Sequence, residues 1–353
     1  MAQNPQRQLM PHAYPERPMR RRKRRPQLHA VVSLSIAVLV GIGALLSLPT
    51  VIAVDSRLAQ AEPVKPLFPV TVDPVNELIV EDPEVEALLD DTHGTLAAAS
   101  GLAGSVLAWI ANAVASVPAY EQLAGSDIAF VDIKAGYREE EVAYAFGRQL
   151  GWTQKEQNAF LKQVHEVDPV LEEGQFVPGT YVISSAANPA YVQELLSDRF
   201  AKEIKARYST TTDEVLPIED VLTIASMLER ETRNPAEMRL ISGIIWNRLW
   251  AGMNLQIDAT LQYAKATKST SGSWWPKVVP NDKYIKSSYN TYKNKGLPPG
   301  PIANPSTAAV LAALNPKKTD CIFYFHDRRG GMHCTPTYKE HVRLLKKYYG
   351  QGK

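Results

Sequence analysis

The sequence predicts an α+β protein with a single transmembrane helix, a small β-α-α-β domain, and a mixed α+β domain carrying an acid on one of its helices. Three observations predict it. A stretch of 24 uncharged residues, Val31 to Val54, follows six consecutive basic residues. Between residues 127 and 184 the hydrophobic pattern runs from strand alternation to helical spacing and back. Beyond residue 190, helical patterns precede two short β-rich runs around a turn and a last amphipathic stretch.

The first element is the basic tail, residues 1–30, polar and proline-rich, with eight Lys/Arg against one acid, Glu16. It reads as a disordered cytoplasmic segment. The apolar stretch at 31–54 is long enough to cross a hydrocarbon core of roughly 30 Å. Its basic flank places the N-terminus in the cytoplasm and the rest of the chain outside, in the periplasm or its equivalent. A cleaved signal peptide is the rival, because Ala59-Gln60-Ala61 has the form of a cleavage site. The stretch exceeds the usual signal core of roughly 7–15 residues, which favours a retained anchor. The net charge of +2 is therefore a local effect: from Asp55 onward the chain holds 31 basic and 36 acidic residues. That balance excludes the broad basic surface a nucleic-acid partner requires.

Residues 55–119 read as a linker followed by an apolar segment. Asp55 to Gly94 is acidic and contains five prolines, the composition of a stalk, with a short helix near Glu84 to Leu89. Thr95 to Val117 is a second uncharged stretch, of 23 residues, rich in Ala, Gly and Ser. Its weaker apolarity and lack of a basic flank argue for a helix at the membrane or on the domain rather than a second span. Within residues 120–190, Asp127 to Ile133 alternates as a strand and Gly136 makes a turn. Arg138 to Leu150 and Thr153 to His165 have helical spacing, and Thr180 to Ser184 returns to a strand after Pro178-Gly179.

Residues 191–353 form the larger domain. Tyr191 to Tyr208 is read as an amphipathic helix. In the helix Asp220 to Thr232, residues Ile224, Met227, Leu228 and Glu231 fall at i, i+3, i+4 and i+7, one face. Asn234, Pro235 and Glu237 read as N-cap, N1 and N3 of the next helix. That helix buries Ile241, Ile244, Ile245 and Leu249, and Gly252 ends it. After the Gly/Pro-rich Gly296 to Pro305 come a helix at Thr307 to Leu314, a hairpin, and a helix at Tyr338 to Tyr349. The hairpin strands are Cys321 to Phe325 and Met332 to Thr335, around Asp327-Arg328-Arg329-Gly330. Phe325 is expected to face Gly330 and His326 to face Arg329. Counting outward puts Cys321 opposite Cys334, close enough for a bond. A one-residue slip would exclude it and leave two free thiols. Two cysteines are too few for a disulfide framework or a zinc ribbon.

A carboxyl on an apolar face loses hydration, which raises its pKa and suits a general acid. Glu231 meets that description, whereas Glu229 lies on another face. The alternative is a helix-end carboxylate paired with an arginine such as Arg239 or Arg248. In LQIDATLQY, Leu255 to Tyr263, the polar Gln256 and Asp258 alternate with Leu255 and Ile257. They are either an ordinary loop edge or hydrogen-bonding groups for a sugar. Ser288 to Tyr292 adds two tyrosines and an amide. His326 and His333 flank the hairpin turn and are read as structural groups that could face each other. There is no H-E-x-x-H pattern, no Walker motif and no G-x-S-x-G.

Together, IASMLERET (Ile224 to Thr232), IIWNRLWAGMNLQIDATLQYA, SSYNTYKNKGLPPGPIANPSTAAVLAALNPKKTDCIFYF and the Gly330-Gly331 turn resemble the YceG-like family of endolytic lytic transglycosylases, over about residues 220–349. The resemblance implies that Glu231 is catalytic and that Gln256, Asp258, Tyr289 and Asn290 lie near a substrate groove. It implies a LysM-like identity for the 120–190 unit, and EGQFVPGTYVIS is similar to the family's link between the two regions. Residues 55–120 do not resemble the family's first sugar-binding-like segment. The activity implied is cleavage of the β-1,4 bond from N-acetylmuramic acid to N-acetylglucosamine, leaving 1,6-anhydro ends that terminate nascent glycan strands. The partners implied are peptidoglycan strands and membrane-bound peptidoglycan synthases, with no cofactor. A muramidase in which Asp258 activates water, and a non-catalytic wall-binding scaffold, are the competing expectations.

Overall fold

The computed structural model describes residues 66–87, 89, 128–167, 173–268 and 273–350, all within the unit Ile52–Lys353. The basic tail, the stretch at 31–54 and the stretch at 95–117 lie outside the described residues. Among the described residues, no helix is long and apolar enough to cross a membrane.

The described part of the 55–94 region, residues 66–87 and 89, is folded where a stalk is expected. β1 (Val72–Asp73) and β2 (Leu78–Ile79) form a minimal antiparallel hairpin with Val72 opposite Ile79. Its turn is held by Asp73, whose carboxylate accepts from the amides of Val75 and Asn76. A helical turn over 83–87 follows. Phe68 and Val72 are buried in the main core. The Thr71 amide donates to the Leu314 carbonyl (3.1 Å), the Phe68 amide to that of Arg207 (2.8 Å), and the Asn315 side chain to that of Pro69 (2.9 Å). Glu86 forms an ion pair with Arg239. Composition registers the prolines and acids here. The few apolar residues between them decide the outcome, because their partners lie far along the chain.

β3 (Ile128–Ile133) and β4 (Gly179–Ser184) pair antiparallel from Ile128 opposite Ser184 to Ile133 opposite Gly179. Between them run α1 (Glu139–Leu150) and α2 (Gln154–Val167). Alternation in the strands turns Val131, Ile133, Tyr181 and Ile183 onto Phe146 and Phe160 of the helices, one small core. Glu139, Glu140 and Glu141 occupy the first turn of α1, where the helix dipole favours negative charge, and Gly151 ends it in the left-handed conformation.

α3 (Pro189–Glu203) starts at Asn188, whose side chain accepts from the Tyr191 amide. It is shorter than the expected 191–208 helix, giving way to a 3₁₀ turn at Lys205–Arg207. Its Val192 and Leu196 belong to the small core and its Phe200 to the large one, so this helix joins the two. A short helix, α4 (Thr210–Asp213), leads to α5 (Ile218–Glu231). Every residue of α5 from Val221 to Leu228 is buried, because α6 (Pro235–Trp250) and a later helix pack against it. α7 (Asp258–Lys268), a 3₁₀ turn at Pro280–Tyr284 and α8 (Thr307–Leu314) follow. Gly243 lets α6 approach the chain at 317, since a side-chain carbon there would collide with the Lys317 carbonyl. Asn304, fully buried, stitches the two cores together. Its backbone exchanges hydrogen bonds with Gly136 and Tyr137 (both 2.8 Å), and its side chain accepts from the Phe176 amide (2.8 Å).

The hairpin corrects the expected register. β5 (Phe323–His326) pairs with β6 (Met332–Thr335) so that Phe325 faces His333 and Tyr324 faces Cys334. A loop longer than the one assumed causes the shift. Asp327 accepts from the amides of Arg329 (2.8 Å) and Gly331 (3.1 Å), and its own amide donates to the Gly331 carbonyl. The Cys321–Cys334 disulfide is nevertheless present, with Cα atoms 5.7 Å apart, because Cys321 lies just outside β5 rather than on its ladder. The two hairpin histidines do not face each other: His333 reaches Asp327 (2.8 Å) and His326 approaches Glu237 (3.5 Å). α9 (Tyr338–Tyr349) closes the chain against the hairpin through His341 and Tyr349.

Candidate active site

Glu231 is the last residue of α5. The helix stops there because Thr232 turns extended and Asn234 starts α6. The Asn234 side chain accepts from the amides of Ala236 (3.0 Å) and Glu237 (3.4 Å), with Pro235 at the first helical position. The apolar stripe of α5 thus delivers a carboxyl to the edge of the large core.

Glu231 is half-buried. Its Oε2 accepts a hydrogen bond from the Tyr324 hydroxyl at 3.0 Å. Burial raises its pKa above the ordinary 4.5, Tyr324 works against that rise, and nearby Asp258 adds to it. Burial likewise holds the Tyr324 hydroxyl well above its usual value, with the Glu231 charge acting in the same sense. The arginine pairing considered for Glu231 does not occur. Arg239 is spent on Glu86 and the Asn315 carbonyl, and Arg248 on the carbonyls of Ile322 and Leu255.

Asp258 is exposed at the first turn of α7 and accepts from the Tyr292 hydroxyl at 2.7 Å. Burial and Asp258 raise the Tyr292 pKa, and Glu231 contributes in the same direction. Gln256 is exposed, in a left-handed conformation (φ 54°), with its amide donating to the Thr291 carbonyl (3.1 Å). The Thr291 hydroxyl accepts from the Ile257 amide (3.0 Å), so one buried threonine ties 256–258 to the 288–292 segment.

The structure therefore gathers Glu231 and Asp258 with Tyr324 and Tyr292, and places Gln256 on the adjoining backbone. It treats the other two expected residues differently. Asn290 is fully buried. Its amide nitrogen donates to the carbonyls of Lys283 and Ile285 and its oxygen accepts from the Tyr292 amide, so it shapes the loop instead of facing a ligand. Tyr289 packs at a tilt against Tyr263 (4.7 Å between ring centres), which in turn carries Arg138. Tyr324 is the group that sequence reasoning left out, and Tyr292 entered it only as one of two tyrosines in 288–292, not as the partner of Asp258. Both lie in segments it examined. A buried tyrosine hydroxyl needs a partner, but nothing in spacing says which carboxylate serves.

A half-buried carboxyl whose pKa is raised, with one tyrosine donor on it and a second carboxylate near it, is an arrangement able to transfer a proton. Residues 110–347 match the model of the YceG-like family, and the chain belongs to that family. It is 34% identical over 180 residues to the endolytic murein transglycosylase of Bacillus subtilis (strain 168), covering 50% of this chain and 48% of that protein. It is 34% identical over 158 residues to the endolytic murein transglycosylase of Streptococcus pneumoniae serotype 2, covering 44% and 28%. The chain thus spans half or less of the length of these relatives. A crystal structure of a yceG-like protein from Listeria monocytogenes superposes with a TM-score of 0.53 at 26% identity, covering 61% of this chain and 76% of that one.

Proposed function

We propose that this chain is an endolytic lytic transglycosylase of peptidoglycan with Glu231 as its acid and base. The observation that carries the reading is the Glu231 carboxyl itself, desolvated at the end of α5 in a chain similar to named murein transglycosylases. Protonated Glu231 gives its proton to the glycosidic oxygen between N-acetylmuramic acid and N-acetylglucosamine. The bond to C1 breaks through an oxocarbenium-like state. Ionised Glu231 then takes the proton of the muramoyl C6 hydroxyl, whose oxygen closes on C1. Glu231 ends protonated, and the product is a 1,6-anhydro end. No water is consumed, so no second carboxylate has to activate one. Asp258, held by Tyr292, and the exposed Gln256 orient the sugar. The β3–α1–α2–β4 unit serves as a LysM-like glycan-binding module. The stretch at 31–54 anchors the protein beside the membrane synthases whose strands it terminates.

Asp258, drawn into the same cluster, gives one specific reason to weigh a muramidase in which that carboxylate activates water. Product mass separates the two. The purified chain acting on defined glycan strands is expected to release products one water lighter than reducing ends. Reducing ends would support the muramidase, and intact strands would refute both. For the anchor, protease added outside intact spheroplasts is expected to digest residues 128–350. Protection of that region would refute the extracytoplasmic placement.

A further inference from the structure

The hydroxyl of Tyr324 is the one side-chain hydrogen-bond donor to the Glu231 carboxyl among the described residues, and it lands on Oε2 alone. A hydroxyl donating to one carboxyl oxygen makes that oxygen the less favourable site for the acidic proton, because a protonated carboxyl oxygen is a weaker acceptor than an unprotonated one. While Tyr324 donates to Oε2, the proton of the neutral acid is favoured on Oε1.

The donor is held from two directions. Within the hairpin, Tyr324 lies directly opposite Cys334, and the Cys321–Cys334 bond ties that partner to the chain just before β5. From the helix side, the Arg248 Nε donates to the Ile322 carbonyl (2.7 Å). The Asn247 side chain donates to the carbonyls of Thr319 (2.8 Å) and Cys321 (3.0 Å). Both residues belong to α6, the helix that begins four residues after Glu231, the end of α5. The donor and the acid are thus tied through one helix although 93 residues separate them.

We propose that Tyr324 is a positioning residue that reserves Oε1 of Glu231 for both proton transfers, the delivery to the glycosidic oxygen and the recovery from the sugar hydroxyl. The proposal rests on the reading of Glu231 as the proton donor. One oxygen then faces the substrate throughout the cycle, and the carboxyl need not rotate between the two steps. The same hydrogen bond favours the ionised form and offsets part of the rise that burial imposes on the acid. Removing it therefore has a signed consequence: the carboxyl holds its proton to higher pH.

The test compares the full-length chain with Tyr324→Phe, which keeps the ring and deletes the donor. Turnover of glycan strands is followed from pH 4 to 9, and the Glu231 carboxyl is titrated by ¹³C NMR in glutamate-labelled protein, its signal assigned by loss in Glu231→Gln. The expected result is a kcat lowered by about tenfold at the optimum with KM little changed, an alkaline limb displaced to higher pH, and a Glu231 titration displaced the same way. A purely structural tyrosine would alter the amount of folded protein and leave both midpoints in place, and coincident midpoints overturn the proposal. If the unaltered chain is inactive, the transglycosylase reading falls. The NMR midpoints then decide alone: displacement supports control of the Glu231 proton by Tyr324, and coincidence refutes it.

Discussion

Glu229 and Ser306 are joined by two hydrogen bonds. One carboxylate oxygen of Glu229 accepts from the Ser306 amide (3.0 Å) and hydroxyl (2.6 Å) at the N-cap of α8. This commits the first acid of Glu229-Arg230-Glu231 to holding α8 on α5. Glu231→Gln is expected to lower glycan turnover by at least about 10²-fold with the fold intact. Glu229→Gln is expected to keep turnover near normal and to lose about 1–3 kcal/mol of stability, the cost of removing the charge from an acceptor of two half-buried hydrogen bonds. Turnover and urea midpoints of both variants check the assignment. The opposite pattern would exchange the roles of the two acids.

The raised pKa of Glu231 also gives stability a pH dependence. The folded chain binds this proton more tightly than the unfolded chain. The stabilising contribution is therefore fully present below the unfolded value, near 4.5, and is lost as pH rises through the folded value. Glutamine cannot ionise. The unfolding free energy of Glu231→Gln relative to the native sequence should therefore be smallest near pH 4 and grow in the variant's favour toward pH 8. Denaturant titrations at several pH values measure it, and a difference independent of pH would contradict the raised pKa of Glu231.

Residues 66–89 are expected to behave as part of the folded domain. Phe68 is 6% exposed, packs into the large core and lies under the Arg207 guanidinium, 3.9 Å from its ring centre. Phe68→Ala is expected to cost about 3 kcal/mol. A solvated stalk would tolerate the change within about 0.5 kcal/mol, so one pair of urea curves separates the two descriptions.

The disulfide closes a short loop, with 13 residues of separation. Its loss, by dithiothreitol or by replacing both cysteines with serine, is expected to cost about 3 kcal/mol at most. Peptide mapping of alkylated, unreduced protein should show the two cysteine peptides linked. Full alkylation of both thiols without reductant would contradict the bond.

Local sequence carried the parts of this structure that depend on local interactions. Asn234-Pro235-Ala236-Glu237 starts α6 where capping chemistry requires, and the alternation in 127–133 and 180–184 yields β3 and β4. The i, i+3, i+4, i+7 stripe leads from Ile224 to Glu231 on α5. The hairpin register escaped it because Asp327 organises a longer loop with its own carboxylate, and loop length sets register. The packing of 66–89 escaped it because Phe68 and Val72 find their partners far along the chain.

The site divides the same way. The sequence by itself determined that an acid would end an apolar helix face at Glu231, since helical period and residue type suffice for that. Only the tertiary structure decided what the acid meets. Tyr324 arrives from a strand 93 residues away, and Asp258 comes with Tyr292 attached to it. Asn290, chosen on residue type, is turned inward, where its amide bonds the Lys283 and Ile285 carbonyls and shapes the loop. A pKa is set by burial and by charges within a few ångströms, and those neighbours are assembled by folding, so spacing along the chain does not specify them.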